Sequence, residues 1–322
     1  MPDSLFPIYS LDEARRGVLV RAAPDEIALT GSLLDGIERI FGERLTPEEA
    51  VRKIIADVRE AGDIALRAWT ERLDGPDLAE LAVTHEEIMQ GVEATPPEVV
   101  DALRSACSRV ETCHRQQPVT SWLDAAPEGT LGQLVRPIER VGVYVPGGTA
   151  PLPSSLLMSA IPAQVAGVGE IIACTPPARD GSIPPVILAA AEIAGVTRLY
   201  KLGGAQAIAA MAYGTESVPR VDKIVGPGNL FVTLAKRQVF GAVGIDGLLG
   251  PTETMVIADE GASAATVAAD LLAQAEHDIL AQAILVTPSR ALAEAVAGEV
   301  AQQVEALSRA AIIRESLPRP RG

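Results

Sequence analysis

Short apolar runs alternate with alanine-rich segments of helical length from about residue 129 onward. The strand-like runs lie at 141–145, 171–174, 199–202, 223–225, 255–258 and 284–287. The helical segments lie at 154–167, 183–194, 204–213, 229–242, 262–277 and 289–307. Such alternation is typical of a parallel sheet that is covered by helices on both faces. This part of the chain is therefore predicted to be α/β and doubly wound.

The residues before this region are predicted to be mostly helical. Thr46 and Glu49 have the spacing of a capping box, and Pro47 stands at the first helical position. Apolar residues at 51, 54, 55 and 58 then repeat on one helical face. Gly62 interrupts this helix, and a second helix is predicted to run to Leu73.

The balance of charges excludes one large class of partners. The 322 residues include 27 Lys and Arg against 42 Asp and Glu, a net charge of −15. Nucleic-acid binders gain much of their affinity by neutralising phosphates, so no nucleic-acid partner is expected.

The most apolar stretch, 156–174, is broken by polar residues, and no signal peptide is evident, so no membrane partner is expected. We expect a cytoplasmic protein of about two domains.

Three glycine-rich turns follow predicted strands, at 144–151, 203–206 and 226–229. Each could present free backbone N–H groups to an anion such as a dinucleotide pyrophosphate. None of them matches GxGxxG or GxxxxGK[ST], the usual nucleotide-binding patterns. Two interpretations therefore remain open, a nucleotide site and a set of plain strand-to-helix turns.

A second candidate site lies on the helix predicted at 262–277. The spacing of Asp270, Gln274 and His277 places the three residues on one helical face. An imidazole nitrogen and an amide oxygen that point the same way could share a divalent metal. The alternative is that His277 only caps the helix C-terminus, where the macrodipole favours it. The chain has three histidines, too few for a His-rich zinc centre.

Four motifs together resemble the histidinol dehydrogenase family. In the order in which that family has them, they are RVGVYVPGGTAPL at 140–152, GGAQAIAAMAYG at 203–214, DKIVGPGN at 222–229 and DLLAQAEHD at 270–278. The helical region before them, including His114 and Trp122, is similar as well. The resemblance covers nearly the whole chain.

The resemblance implies two incomplete Rossmann-like domains with parallel sheets flanked by helices, a helical N-terminal region, and a homodimer. The implied divisions are an N-terminal arm at 1–30, a first α/β domain formed by 31–140 and 253–322, and a second, NAD-binding domain at 141–252. The first domain is discontinuous and is expected to be incomplete at its C-terminal end.

The family is an oxidoreductase of histidine biosynthesis that uses NAD and zinc. It oxidises L-histidinol to L-histidine in two NAD-dependent steps, through the aldehyde. By resemblance, NAD contacts are expected from Tyr144, Gln206 and Asn229, zinc ligation and substrate contact from Gln274 and His277, and a further substrate contact from Thr252. Family members usually have Ser at the position of Thr252.

Family members also continue with a Glu-His pair that acts in proton transfer, two further zinc ligands and a helical segment that reaches the partner subunit. The sequence contains no Glu-His pair other than Glu276–His277, which matches the metal motif. The catalytic pair is therefore expected to be missing from residues 1–322. Two alternatives follow: a truncated, non-catalytic paralogue that serves as a binding or assembly module, and a family member that oxidises a different polar alcohol.

Overall fold

The structure is a computed structural model that describes residues 5–20, 31–147, 151–248, 253–277 and 281–317. The chain divides into two compact units. The larger one is Leu29–Leu248, and the smaller one combines Met1–Ala28 with Leu249–Gly322.

The helices are numbered in chain order. They are α1 (Leu11–Arg16), α2 (Gly31–Phe41), α3 (Pro47–Leu73), α4 (His85–Ala94), α5 (Pro97–His114), α6 (Pro153–Val165), α7 (Pro185–Ile193), α8 (Gly204–Tyr213), α9 (Leu230–Val239), α10 (Ala264–Ala275), α11 (Arg290–Gln303) and α12 (Ala310–Ser316). A 3₁₀ turn, Val304–Ala306, follows α11. No helix in the described ranges combines the length and the apolar character that a membrane crossing requires.

The strands are numbered in the same way. They are β1 (Trp122–Ala126), β2 (Gly129–Gln133), β3 (Arg140–Tyr144), β4 (Glu170–Thr175), β5 (Arg198–Lys201), β6 (Lys223–Val225), β7 (Gly244–Ile245), β8 (Glu253–Ile257) and β9 (Gln282–Val286). Every strand-like run predicted from the sequence is present, with its ends within two residues of the prediction.

The larger unit is built on a five-stranded parallel sheet in the order β5-β4-β3-β6-β7. The chain starts at the central strand β3, moves outward through β4 and β5, and then returns to place β6 on the other side of β3. The strand order therefore reverses between β3 and β6. Ligands of doubly wound sheets bind at such a switch point, beyond the carboxyl ends of the strands. The predicted α/β fold class is confirmed.

Helix α3 runs along this sheet's helical layer and packs against α8 and α9. Its capping box forms as predicted: the Glu49 amide donates to Thr46 Oγ1 over 3.2 Å, and the Thr46 amide donates to Glu49 Oε2 over 2.8 Å. Gly62 has φ +52°, which breaks the helix at the predicted place without the Cβ strain that other residues would suffer there. The second half of α3 then leads to Asp74.

The break in α3 is fixed by polar contacts to the loop after α8. The nearly buried Asp63 carboxylate accepts hydrogen bonds from Thr215 Oγ1 over 2.7 Å and Ser217 Oγ over 3.0 Å. The Asp63 amide donates to Glu216 Oε2 over 2.8 Å. Because buried polar groups are costly to leave unpaired, these bonds hold the second half of α3 in place.

The helices before residue 140 belong to the same compact unit as the five-stranded sheet. Helix α4 packs against α7, and α5 packs against α6, because their apolar faces are covered by the helices that flank the sheet. The division expected from the family resemblance instead placed residues 31–140 in one domain with residues 253–322. The predicted end of the NAD-binding domain at 252 lies close to the end of this unit at Leu248. The domain limits themselves stay a prediction.

The smaller unit contains a two-stranded parallel sheet, β8 and β9, with α10, α11 and α12. Its core is formed by the apolar faces of the helices, including the buried Leu271, Val296 and Ile313. The Gln282 side chain donates from Nε2 to the carbonyl of Val18 over 3.1 Å, which ties β9 to the segment after α1.

Candidate functional site

The described residues of the three glycine-rich turns lie at the carboxyl ends of β3, β5 and β6, as predicted; residues 148–150 of the first turn lie outside the described residues. Gly226, directly after β6, has φ +111°, and a Cβ at this position would overlap the carbonyl oxygen of Tyr144 at the end of β3. Only glycine therefore lets the backbone after β6 approach the backbone of β3 this closely. The approach occurs at the switch point between β3 and β6, where a ligand crevice is expected.

Tyr144 connects β3 to the start of α8. Its side chain is buried, and its hydroxyl oxygen accepts a hydrogen bond from the Gly204 amide over 3.1 Å. Burial raises the pKa of the Tyr144 phenol well above its usual range, although the Gly204 bond acts in the opposite direction. The phenol therefore stays protonated at neutral pH.

Gln206 lies in the first turn of α8 and is fully buried. Its Nε2 donates to Asp74 Oδ2 over 3.2 Å, whereas its Oε1 has no hydrogen-bond partner among the described residues. A Cβ at Gly204 would lie only 2.7 Å from this oxygen. A buried acceptor without a donor costs free energy, and such orphans in a native fold often mark a ligand or water position.

Asp74 completes the group and was not singled out by sequence analysis. It follows the last residue of α3, where its sequence neighbours Gly75 and Pro76 predict only a helix end. Burial raises its pKa to about 6. A Cβ at Gly203 would lie 3.1 Å from Asp74 Oδ2. Asp74, Gln206 and Tyr144 thus surround the start of α8 from three parts of the chain.

Asn229 lies on the third turn and is exposed. It caps α9, since its Oδ1 accepts from the Val232 amide over 3.1 Å. The turn before it is anchored by the buried Lys236, which forms an ion pair with Asp246 and donates to the carbonyl of Gly226 over 2.9 Å. Asp246 Oδ2 in turn accepts from the Gly226 amide over 2.8 Å.

The raised pKa of Asp74 makes a testable prediction about stability. The folded pKa of about 6 exceeds the ordinary value of 3.8, so the folded state holds the proton more tightly than the unfolded state. The burial penalty is therefore absent below pH 3.8 and develops as pH rises through 6. After allowance for partial exposure, Asp74→Asn is expected to stabilise the protein by about 1–3 kcal/mol at pH 8 and to change little at pH 4. Thermal melts of both proteins at the two pH values measure this, and equal gains at both would contradict the burial cause.

The predicted metal ligands lie in the smaller unit. Gln274 is largely buried in α10, and its Oε1 accepts from Thr254 Oγ1 over 2.8 Å. The helix ends at Ala275, so His277 lies beyond it in an exposed turn, where its amide donates to the Gln274 carbonyl over 3.3 Å. Asp270 and Gln274 lie four residues apart within α10 and so on one side of the helix, whereas His277 lies past its end.

The region around Gln274 and His277 offers fewer ligand atoms than a zinc ion requires. No three His, Cys, Asp or Glu side chains are grouped to hold a metal in the part of the chain that the structure describes. Gln274 and His277 offer two donors, whereas a tetrahedral zinc site requires four. These residues by themselves do not complete a zinc site. Thr252, the expected substrate contact, lies outside the described residues.

The sequence and the fold of this chain are similar to those of one known protein family. The family model of histidinol dehydrogenase matches residues 42–321. The chain belongs to the histidinol dehydrogenase family. The same family provides a solved structure, from Elizabethkingia anophelis, that covers 98% of this chain with a TM-score of 0.86 and 35% identity. The histidinol dehydrogenase fold expected from the sequence is thereby confirmed.

Curated family members are close in sequence. Histidinol dehydrogenase of Deinococcus radiodurans is 57% identical over 282 residues, which are 88% of this chain and 64% of the relative. The Moorella thermoacetica protein is 54% identical over 294 residues, which are 88% of this chain and 69% of the relative. The chain thus spans about two thirds of the length of the curated relatives that it matches.

Proposed function

We propose that the protein catalyses the NAD-dependent oxidation of L-histidinol to L-histidine, through the aldehyde, in histidine biosynthesis. Family membership at 57% identity is the observation that carries the proposal. The carboxyl edge of the five-stranded sheet supports it independently, because its switch point, glycine turns and orphaned buried acceptor are what a bound dinucleotide would need.

The residues of the larger unit fit a dinucleotide in chemical type. Tyr144 would fix the start of α8 through Gly204 and offer its own hydroxyl hydrogen to the ligand. Gln206 Oε1 would accept from a ligand hydroxyl or amide group. Asn229 would contact the ligand with its amide group at the mouth of the crevice, since it is exposed. Gly226 lets the backbone after β6 lie close to the carbonyl of Tyr144 at the end of β3, which shapes the crevice.

Bound NAD would supply the hydride acceptor for both oxidations. The protein contributes orientation and electrostatics to these steps. Each oxidation also releases a proton, and the hydrogen bonds that the side chains of Tyr144, Gln206 and Asn229 form with described residues include none to a histidine that could receive it. The proposal therefore assigns binding and orientation, and no proton transfer, to these three residues.

Four further parts of the proposal rest on the family resemblance. Gln274 and His277 are proposed as two zinc ligands that also contact the substrate, and Thr252 as another substrate contact. The protein is proposed to be a homodimer and cytoplasmic.

The assay that tests the activity is formation of NADH from NAD by the 322-residue chain, with L-histidinol as substrate and zinc present. NADH formation that depends on L-histidinol supports the proposal. Binding of NADH without turnover favours the alternative of a non-catalytic binding module. Turnover of another amino alcohol in preference to L-histidinol would favour the second alternative.

The proposed metal site predicts that His277→Ala weakens zinc binding at least about tenfold, since even an outer-shell loss commonly costs 10–100-fold. Competition with a zinc-binding dye measures the affinity. His85→Ala is the matched control, because His85 is also exposed but lies at the start of α4 in the other unit. Equal zinc affinity in His277→Ala and His85→Ala would remove His277 from the ligand set.

A further inference from the structure

The ribose position of the crevice lacks the side chain that doubly wound folds usually place there. In those folds an acidic residue at the end of the second strand accepts a hydrogen bond from the 2′-hydroxyl of the adenosine ribose. The corresponding strand in this sheet is β4, which is the first neighbour of β3. It ends with Thr175, and Pro176 and Pro177 follow. None of these residues carries a carboxylate.

A carboxylate reaches the same place from another part of the chain. Asp74 comes from the end of α3, and its Oδ2 lies 3.1 Å from where a Gly203 Cβ would be. The same Cβ would lie 2.7 Å from Pro176 Cβ. Asp74 and Pro176 therefore border one point of backbone, at Gly203. Glycine lets the backbone at this point pack directly against Pro176 and the Asp74 carboxylate.

The surroundings of Asp74 present acceptors to a ligand. Gln206 Nε2 donates to Asp74 Oδ2, so the amide is oriented and its fully buried Oε1 is left without a donor among the described residues. Asp74 Oδ1 and Gln206 Oε1 are both acceptors, and acceptors are satisfied by hydroxyl groups rather than by phosphates. Burial is also what raises the Asp74 pKa to about 6, so the carboxylate is mostly ionised at pH 7.5.

We propose that Asp74 selects the cofactor, by accepting hydrogen bonds from the free ribose hydroxyls of NAD and excluding the 2′-phosphate of NADP. The proposal rests on the proposed use of a nicotinamide dinucleotide. A phosphate placed beside Asp74 would set two anions together in a partly buried position, where their repulsion is weakly screened. Asp74 thus supplies the ribose-binding carboxylate that the end of β4 lacks.

The test is direct binding of NADH and NADPH, followed by nicotinamide fluorescence, to the full chain and to two variants. Asp74→Asn removes the charge and keeps the shape. Asp77→Asn is the control, because it removes the same charge three residues away at an exposed position. Loss of a hydrogen bond to a charged acceptor corresponds to about 1.5–3 kcal/mol, or roughly 10–100-fold. Asp74→Asn is expected to reduce the preference for NADH over NADPH by at least about tenfold, and Asp77→Asn is expected to leave it unchanged.

The ratio of the two affinities separates selection from a structural role, which would weaken both ligands equally. An unchanged ratio in Asp74→Asn overturns the proposal, while NADH binding by the wild type leaves the proposed function standing. Tighter binding of NADPH than of NADH by the wild type also overturns the Asp74 proposal. The 2′-phosphate would then be bound by a cation such as Arg179. This residue is exposed, and its Cγ lies 3.8 Å from the Cβ position of Gly75. Binding of neither ligand contradicts the proposed function and the Asp74 proposal together.

Discussion

Replacement of Lys236 by methionine is expected to lower the free energy of unfolding of the Leu29–Leu248 unit by about 3–5 kcal/mol. Lys236 is 2% exposed, and it neutralises Asp246 while donating to the carbonyl of Gly226. Because methionine fills a volume similar to that of lysine, the loss of stability measures mainly the contribution of the Lys236 charge and its hydrogen bonds. The Asp246 carboxylate would be left without its cation in a partly buried position, which is the costly way to break an ion pair.

The neighbouring residue on α9 provides the control. Arg237 pairs with Glu48 over 3.1 Å, but both side chains are about one-third exposed, so Arg237→Met is expected to cost about 1 kcal/mol or less. Unfolding is followed by tryptophan fluorescence in urea, because the two tryptophans, Trp69 and Trp122, both belong to the larger unit. A loss in Lys236→Met no greater than in Arg237→Met would show that the Asp246 pair is as weak as a surface pair. The double variant Lys236→Met/Asp246→Asn should recover part of the loss.

The parallel sheet could be predicted from the sequence because its strands are buried on both faces. Residues 171–174 and 199–202 read as apolar runs, and the structure has strands there. The antiparallel hairpin of β1 and β2 was missed for the opposite reason. Every residue of that hairpin is exposed, including Trp122, so its sequence carries no apolar alternation from which a strand could be predicted.

The candidate site was predictable only where its residues sit on turns with a local signature. Tyr144, Gln206 and Asn229 belong to the glycine-rich turns after β3, β5 and β6, and the sheet topology brings these turns to one edge. Asp74 could not be found in this way, because its role arises from the kinked path of α3, which sets it against Gln206, 132 positions away. Long-range packing of this kind leaves no spacing pattern in the sequence.

Substitution of Gly226 by alanine is expected to destabilise the larger unit by about 2–5 kcal/mol and to weaken dinucleotide binding with it. Two costs combine at this position. The φ of +111° is unfavourable for any residue with a Cβ, and that Cβ would overlap the Tyr144 carbonyl oxygen, which is backbone and cannot rotate away. The strand ends of β3 and β6 would have to separate at the switch point, which widens the crevice.

Gly241 offers the matched control that separates these two costs. It also has a positive φ, +98°, and lies in the same unit after α9, but a Cβ there would meet no atom within 4 Å. Gly241→Ala is therefore expected to cost only the conformational strain, about 1–2 kcal/mol, and to leave NADH affinity unchanged. Urea unfolding by tryptophan fluorescence and NADH titration measure both quantities in each variant. If Gly226→Ala loses no more stability than Gly241→Ala and binds NADH as the wild type does, the close approach of the two strand ends does not shape the crevice. A loss of affinity confined to Gly226→Ala would place the dinucleotide at the switch point, since the variants share the strain and differ only in what the new methyl group meets.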